Sequence, residues 1–198
     1  MPSEASGLVI KGRTLPTWIV GFTPTFTLGS FGLSFTWDFK TGHNFYSGIG
    51  SDADFAGISA RSAEYGRQRF VFPNSVYWNG SKYVDNTSIE VQDGNAGFWT
   101  GAKTNTAIAT NYYASAAAWR LREVNISYTL PLKWTGNGRI IKRVTVSAIG
   151  KNLFLIVPKS NQWGDPEFNS AGGNTNGVAS VFQTPASRLF GGSLTVQF

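Results

Sequence analysis

The stretch from Trp18 to Phe39 alternates large apolar and small polar side chains, and this pattern limits what the chain can fold into more than any other. Even positions carry Trp18, Val20, Phe22, Pro24, Phe26 and Leu28, while Gly21, Thr23, Thr25 and Thr27 fill the odd ones. A period of two is that of a β-strand, whose successive side chains leave opposite faces. Gly29-Ser30 supplies a two-residue hairpin turn, with the glycine free to take the positive φ that such turns require. Beyond it Phe31, Leu33, Phe35, Trp37 and Phe39 share one face, and Gly32, Ser34, Thr36 and Asp38 the other. Pro24 has no N–H to give a ladder, so a bulge or interruption is expected there.

A soluble sandwich turns its apolar residues to a core and shows water a surface studded with lysine and glutamate. Here the polar face is small and almost uncharged. The whole chain follows suit, with 15% aromatic residues, 23 glycines and only 14% charged residues; globular chains average about 25% charged. Two such faces suit the wall of a membrane barrel, apolar toward lipid and polar toward a wet or protein-filled lumen. Each strand also has about the 9 to 11 residues that a tilted crossing needs.

The alternation returns in "WRLREVNISYTLP", where Arg122, Val124, Ile126, Tyr128 and Leu130 are read on one face and Glu123, Asn125, Ser127 and Thr129 on the other. It recurs in "RVTVSAIGKNLFLI", failing at "NLFLI". In the closing stretch Phe190, Gly192, Leu194, Val196 and Phe198 share a register. The expected fold is all-β: an antiparallel transmembrane β-barrel segment with strands at about 17–28, 31–39, 119–130, 143–156 and 188–198. Residues 40–118 and 157–187, rich in Gly, Asn, Ser and Asp, are expected to be long extracellular loops. Gly29-Ser30 and 131–142 then face the periplasm, and Phe198 falls at the inner interface, where an aromatic girdle belongs.

Several other chemistries are disfavoured. The net charge of +6 comes from basic residues that form no cluster longer than Lys142-Arg143, so no nucleic-acid footprint is expected. There is no cysteine, hence no disulfide framework, and His43 is the single histidine, which argues against a histidine-based metal centre or a Ser-His relay. No organic cofactor, metal or enzymatic reaction is expected. The pairs Asp52/Asp54 and Asp165/Glu167 read first as solvated turn formers, with calcium binding in an outer loop the next reading and sugar-hydrolysing carboxylates the least favoured. The loop aromatics Tyr77, Trp78, Tyr83, Trp99 and Trp163 could offer stacking surfaces to a substrate or a lid, or pack their own loops. Arg120 and Arg122 could meet lipopolysaccharide phosphates or hold the base of a loop. The start, "MPSEASG", has no basic and apolar leader, so an exported form would be longer than this sequence. A secreted soluble all-β carbohydrate-binding module is the alternative reading.

The ending resembles the signal read by the barrel assembly machinery on a last strand: Phe198, with Val196, Leu194 and Phe190 two, four and eight places upstream. In addition, "WRLREVNISYTLP", "VTVSAIGKNLF", "GDPEFNSAGGNTNG" and "TPASRLFGGSLTVQF" follow the order seen at the end of SusC/RagA-type TonB-dependent outer-membrane transporters. The early "PTWIVGFTPTF", "LSFTWDF" and "GHNFY" resemble that family's preceding hairpin. The resemblance implies roughly the last 5 strands of a plugged barrel of about 22. It further implies the outer membrane of a Gram-negative, Bacteroidetes-like cell, and import of oligosaccharides or peptides with a SusD-like surface lipoprotein. Energy would come from TonB, through an amino-terminal part that this sequence does not include.

Overall fold

The computed structural model describes residues 10–91, 106–131, 133, 140–167 and 176–198. Along the chain these form β1 (Trp18–Phe22), β2 (Thr25–Leu28), β3 (Phe31–Thr41), β4 (Asn44–Ser47) and α1 (Gly48–Phe55). Next come β5 (Phe70–Val71), β6 (Val76–Trp78), β7 (Tyr83–Asp85), β8 (Glu90–Val91) and β9 (Tyr113–Ser115). β10 (Ala118–Thr129), β11 (Arg143–Ile156), β12 (Val178–Ala179) and β13 (Leu189–Gln197) complete the order. Two compact units result: Arg13–His43 with Ser115–Phe168 and Thr184–Phe198, and Met1–Gly12 with Asn44–Ala114 and Asn169–Gln183.

The first unit is an open antiparallel sheet in the order β1-β3-β10-β11-β13, with β2 also paired to β3. Gly29 takes a φ of 58°, the positive value that the first position of the two-residue turn demands. β1 and β2 hold one register against β3, with Phe22 opposite Trp37 and Thr25 opposite Ser34. Pro24 therefore interrupts the ladder without a bulge, and its carbonyl still accepts the Phe35 N–H at 3.3 Å.

Residues opposite one another in a ladder project from the same face. Phe31, Leu33 and Phe35 stand opposite Tyr128, Ile126 and Val124. Tyr128 and Ile126 stand opposite Val146 and Ala148, which stand opposite Leu194 and Gly192. One face is thus apolar across the whole sheet. The other carries Ser34, Asn125, Ser127, Thr145, Ser147, Ser193 and Thr195.

β10 departs from the expected alternation. Its register against β3 shifts between Leu121 and Glu123, leaving Arg122 as an inserted residue. Such a β-bulge reverses the facing of everything beyond it. Leu121 and Trp119 accordingly join the apolar face, opposite Trp37 and Phe39, and Arg120 joins the polar face, opposite Asp38. Arg122 is therefore not a member of the Val124–Ile126–Tyr128 face on which the alternation put it. Across the same shift, β11 steps from Lys151 to Phe154 with Asn152 at a φ of 54°. The alternation lost at "NLFLI" is this irregularity, and the strand runs on to Ile156.

The second unit fills much of the span read as a patternless outer loop. Ser47 caps α1, its Oγ accepting the Gly50 N–H at 3.0 Å. β5 pairs with β8, β6 with β7, and β12 runs parallel to β4. Strands of two to four residues are too short to print a readable period, which is why composition alone suggested loop. Phe45 and Tyr112 are buried here together with Asp54, which is 0% exposed. That carboxylate accepts hydrogen bonds from Ser59 Oγ (2.5 Å), Tyr112 Oη (2.8 Å) and Arg61 Nε (2.9 Å), with Arg61 Nη2 as a further ion-pair partner.

Candidate functional site

On the polar face of the six-stranded sheet, charged side chains cluster where β3 ends and β10 begins. Lys40 is the last residue but one of β3, Asp38 lies two positions before it, and Arg120 and Arg122 are the third and fifth residues of β10. The segment after β11 turns at Asp165-Pro166-Glu167, where Asp165 Oδ1 accepts the Glu167 N–H at 3.0 Å. Both carboxylates of that turn point into the cluster. Arg120 holds Asp165 through both terminal nitrogens, Nη1 reaching Oδ2 at 2.8 Å. Its Nε lies 3.3 Å from Glu167 Oε2. Glu167 Oε1 accepts from Lys40 Nζ and Arg122 Nη2, each at 2.5 Å, and Arg122 also donates to Asp38 Oδ2 at 2.6 Å.

Charge-assisted bonds of this kind are short, and the guanidinium fork matches a carboxylate's geometry. Burial alone would raise the Glu167 pKa, but hydrogen bonds from Arg122 and Lys40 and the charges of both arginines outweigh it and pull it down to about 2. Neighbouring His43 is held below its usual value, first by burial and then by the Lys40 ammonium, against the pull of Glu167. Asp165 and Glu167 are therefore fastening groups rather than the solvated turn formers that their sequence context suggested. Arg120 and Arg122 hold the base of a loop. Among the described residues no three His, Cys, Asp or Glu side chains converge as a metal site.

The loop aromatics divide differently. Trp78 and Tyr83 face each other across the β6–β7 pair, their rings edge to face at 5.2 Å, and are 56% and 71% exposed. Asn79 shapes the connecting turn, its Oδ1 accepting the N–H groups of Ser81 and Lys82 at 3.0 Å each. Tyr77 stands opposite Val84, on the other face of the ribbon. Trp163 belongs to the unit with the large sheet, where its N–H donates to Asn161 Oδ1 at 3.0 Å. Trp99 lies outside the described residues.

Three of the four strand-end residues singled out in the sequence share the apolar face: Val196 is opposite Val144, Leu194 opposite Val146 and Phe190 opposite Gly150, while Phe198 follows the end of β13. Leu194 is 66% and Phe190 78% exposed. Aromatic pairs mark both ends of that face. Phe31 meets Tyr128 at 4.6 Å, and Phe39 stacks on Trp119 at 4.4 Å. The sequence pointed to the second pair only in part, because the bulge that turns Trp119 outward has no signature of its own.

No family model matches the chain, and no curated protein does. Solved structures do. The RagAB peptide importer in its "open-open" state aligns with a TM-score of 0.59 at 17% identity, over 96% of this chain and 18% of that one. The "closed-closed" state gives 0.53 at 13% identity, covering 95% and 18%. A further RagAB peptide transporter structure gives 0.50 at 17% identity, covering 86% and 16%. The chain thus spans less than a fifth of the length of those chains. What it shares with that stretch is its fold, an open, mostly antiparallel all-β sheet like a segment of a barrel wall.

Proposed function

We propose that this chain is the carboxy-terminal part of the barrel wall of a TonB-linked outer-membrane importer of the SusC/RagA type. The observation that carries the reading is the exposed apolar face running across the paired strands of an open antiparallel sheet, backed by a face of mostly polar residues. In water such a patch would drive aggregation; against hydrocarbon it is an anchor. Its dimensions support the reading. Phe31 and Phe39 lie eight positions apart on β3, in the two aromatic pairs. That is about 26 Å along the strand, or roughly 20 Å of depth at a barrel's usual tilt, close to the apolar band between aromatic girdles.

In this reading the wall performs no chemistry. The apolar face holds it in the membrane, the hydroxyl face packs a plug or lines the path, and the segments beyond Thr41 and Ile156 rise outside. There Tyr77, Trp78 and Tyr83, with Trp99 and Trp163, contact an oligosaccharide or peptide substrate or a SusD-like lipoprotein. Phe190, Leu194, Val196 and Phe198 are read by the barrel assembly machinery. Peptides are the preferred cargo because the similar solved structures are of peptide importers. The full-length protein, expressed in a host with and without TonB, is expected to take up labelled peptide only when TonB is present; uptake indifferent to TonB, or none, contradicts the reading.

A further inference from the structure

The strands of the wall do not neutralise their own cations at the charged end. Lys40, Arg120 and Arg122 bring three positive charges, and among the described residues the one strand carboxylate bonded to any of them is Asp38. Glu123 is engaged elsewhere, with Lys151 at 3.3 Å. The missing negative charge comes from Asp165 and Glu167, on the connection after β11 rather than on a strand. Glu167 touches all three cations, and 28% of its side chain remains exposed.

Take the turn away and a half-buried patch with a surplus of two positive charges remains. It would present two guanidinium forks and an ammonium around a space the size of one or two carboxylates. Unpaired charge of this kind is costly to leave partly desolvated. Forks and ammonium together suit planar carboxylates better than a single point charge does. The turn is preorganised for the job, since Asp165 Oδ1 fixes the Glu167 N–H.

We infer that Lys40, Arg120 and Arg122 form a carboxylate-binding socket, that Asp165 and Glu167 fill it as a tethered internal ligand, and that a carboxylate-bearing solute such as an acidic peptide displaces them. This rests on the reading of the polar face as lining an import path. It narrows that reading to anionic cargo and couples cargo arrival to release of the segment after β11. A tether of this length competes at an effective concentration on the order of millimolar, so a free dicarboxylate must be supplied well above that.

The probe is glutarate, added to the full-length protein in detergent, with hydrogen exchange of the Glu167 amide as the readout. Glutarate is expected to speed that exchange at least fivefold, while sodium chloride at the same ionic strength leaves it within twofold. No acceleration, or equal acceleration by both salts, overturns the inference. In the Glu167→Gln variant glutarate affinity by calorimetry is expected to rise at least tenfold, and adding Arg122→Gln is expected to abolish it. Unchanged affinity in Glu167→Gln overturns the inference as well. Peptide uptake measured alongside separates the two ideas: TonB-dependent uptake with no glutarate effect removes the socket and keeps the importer, and the glutarate effect without uptake does the reverse.

Discussion

Asp38 stands in register opposite Arg120, yet it takes its hydrogen bond from Arg122, at 2.6 Å, while Arg120 turns to Asp165. The bulge at Arg122 makes this exchange possible. It brings two successive arginines of β10's even positions to the polar side and leaves Arg120 free to reach the turn after β11. One inserted residue thus converts a cross-strand pair into a junction between wall and loop.

Arg120 is 5% exposed and bonded to both loop carboxylates, so its removal strands charges that are hard to solvate. Arg120→Leu is expected to cost about 3 to 5 kcal/mol, as breakage of a buried pair does. The Glu123–Lys151 pair is more than two-fifths exposed on each side, and Lys151→Gln should change stability by no more than about 0.5 kcal/mol. Denaturant unfolding of the full-length protein in detergent compares the two.

The acid limit of the junction follows from Glu167. Its folded pKa of about 2 lies below the ordinary 4.5, so its contribution is complete above that ordinary value and is lost as pH falls toward 2. The protection of the Glu167 amide, its exchange rate compared with the intrinsic rate at each pH, should hold steady from neutrality down to about pH 5 and fall below it. In Glu167→Gln that protection should already be low at neutral pH and show no such step.

How much of this was legible beforehand depended on element length. β3 and the β1–β2 arm printed their alternation plainly because one face is large and the other tiny over a long run. Lys40, Asp38 and Glu167 passed unnoticed as partners, since they lie far apart in sequence and nothing local joins them. Arg122 was put on the wrong face because periodicity assumes an unbroken pleat, and a bulge built from ordinary residues gives no warning. The elements between Asn44 and Ser115 stayed hidden for a different reason. Their strands are short, and their core forms around a buried carboxylate rather than an apolar stripe.

Tyr112 reports on that second core. Burial first, then the hydrogen bond to Asp54 and its charge, raise the phenol well above its usual 10, against the opposing effect of Arg61. A raised folded pKa gives stability that is complete below the ordinary value and lost as pH climbs through the folded one. Tyr112→Phe should remove one phenolate from the alkaline absorbance titration, the latest to appear. It should cost about 1.5 to 3 kcal/mol, the worth of a hydrogen bond to a charged group.

Charge placed on either face of β3 should separate the two environments. Phe35 lies midway between Phe31 and Phe39, and Thr36 projects to the opposite side, its Oγ1 3.0 Å from that of Thr23. Phe35→Arg is expected to lower the stability of the folded barrel in lipid by about 2 to 4 kcal/mol, and Thr36→Arg by clearly less. Urea unfolding in liposomes gives both values.

The sequence holds no cysteine, so a spin label can be placed at one chosen position of this segment. The full-length protein in liposomes, labelled through Phe35→Cys or Thr36→Cys, would be probed by collision with lipid-soluble oxygen and with a water-soluble nickel chelate. If the apolar face meets hydrocarbon, the label at 35 collides with oxygen and scarcely with nickel, while the label at 36 is shielded from oxygen. A label at 35 that nickel reaches as readily as oxygen, or that neither reaches, would mean that this face does not border the membrane.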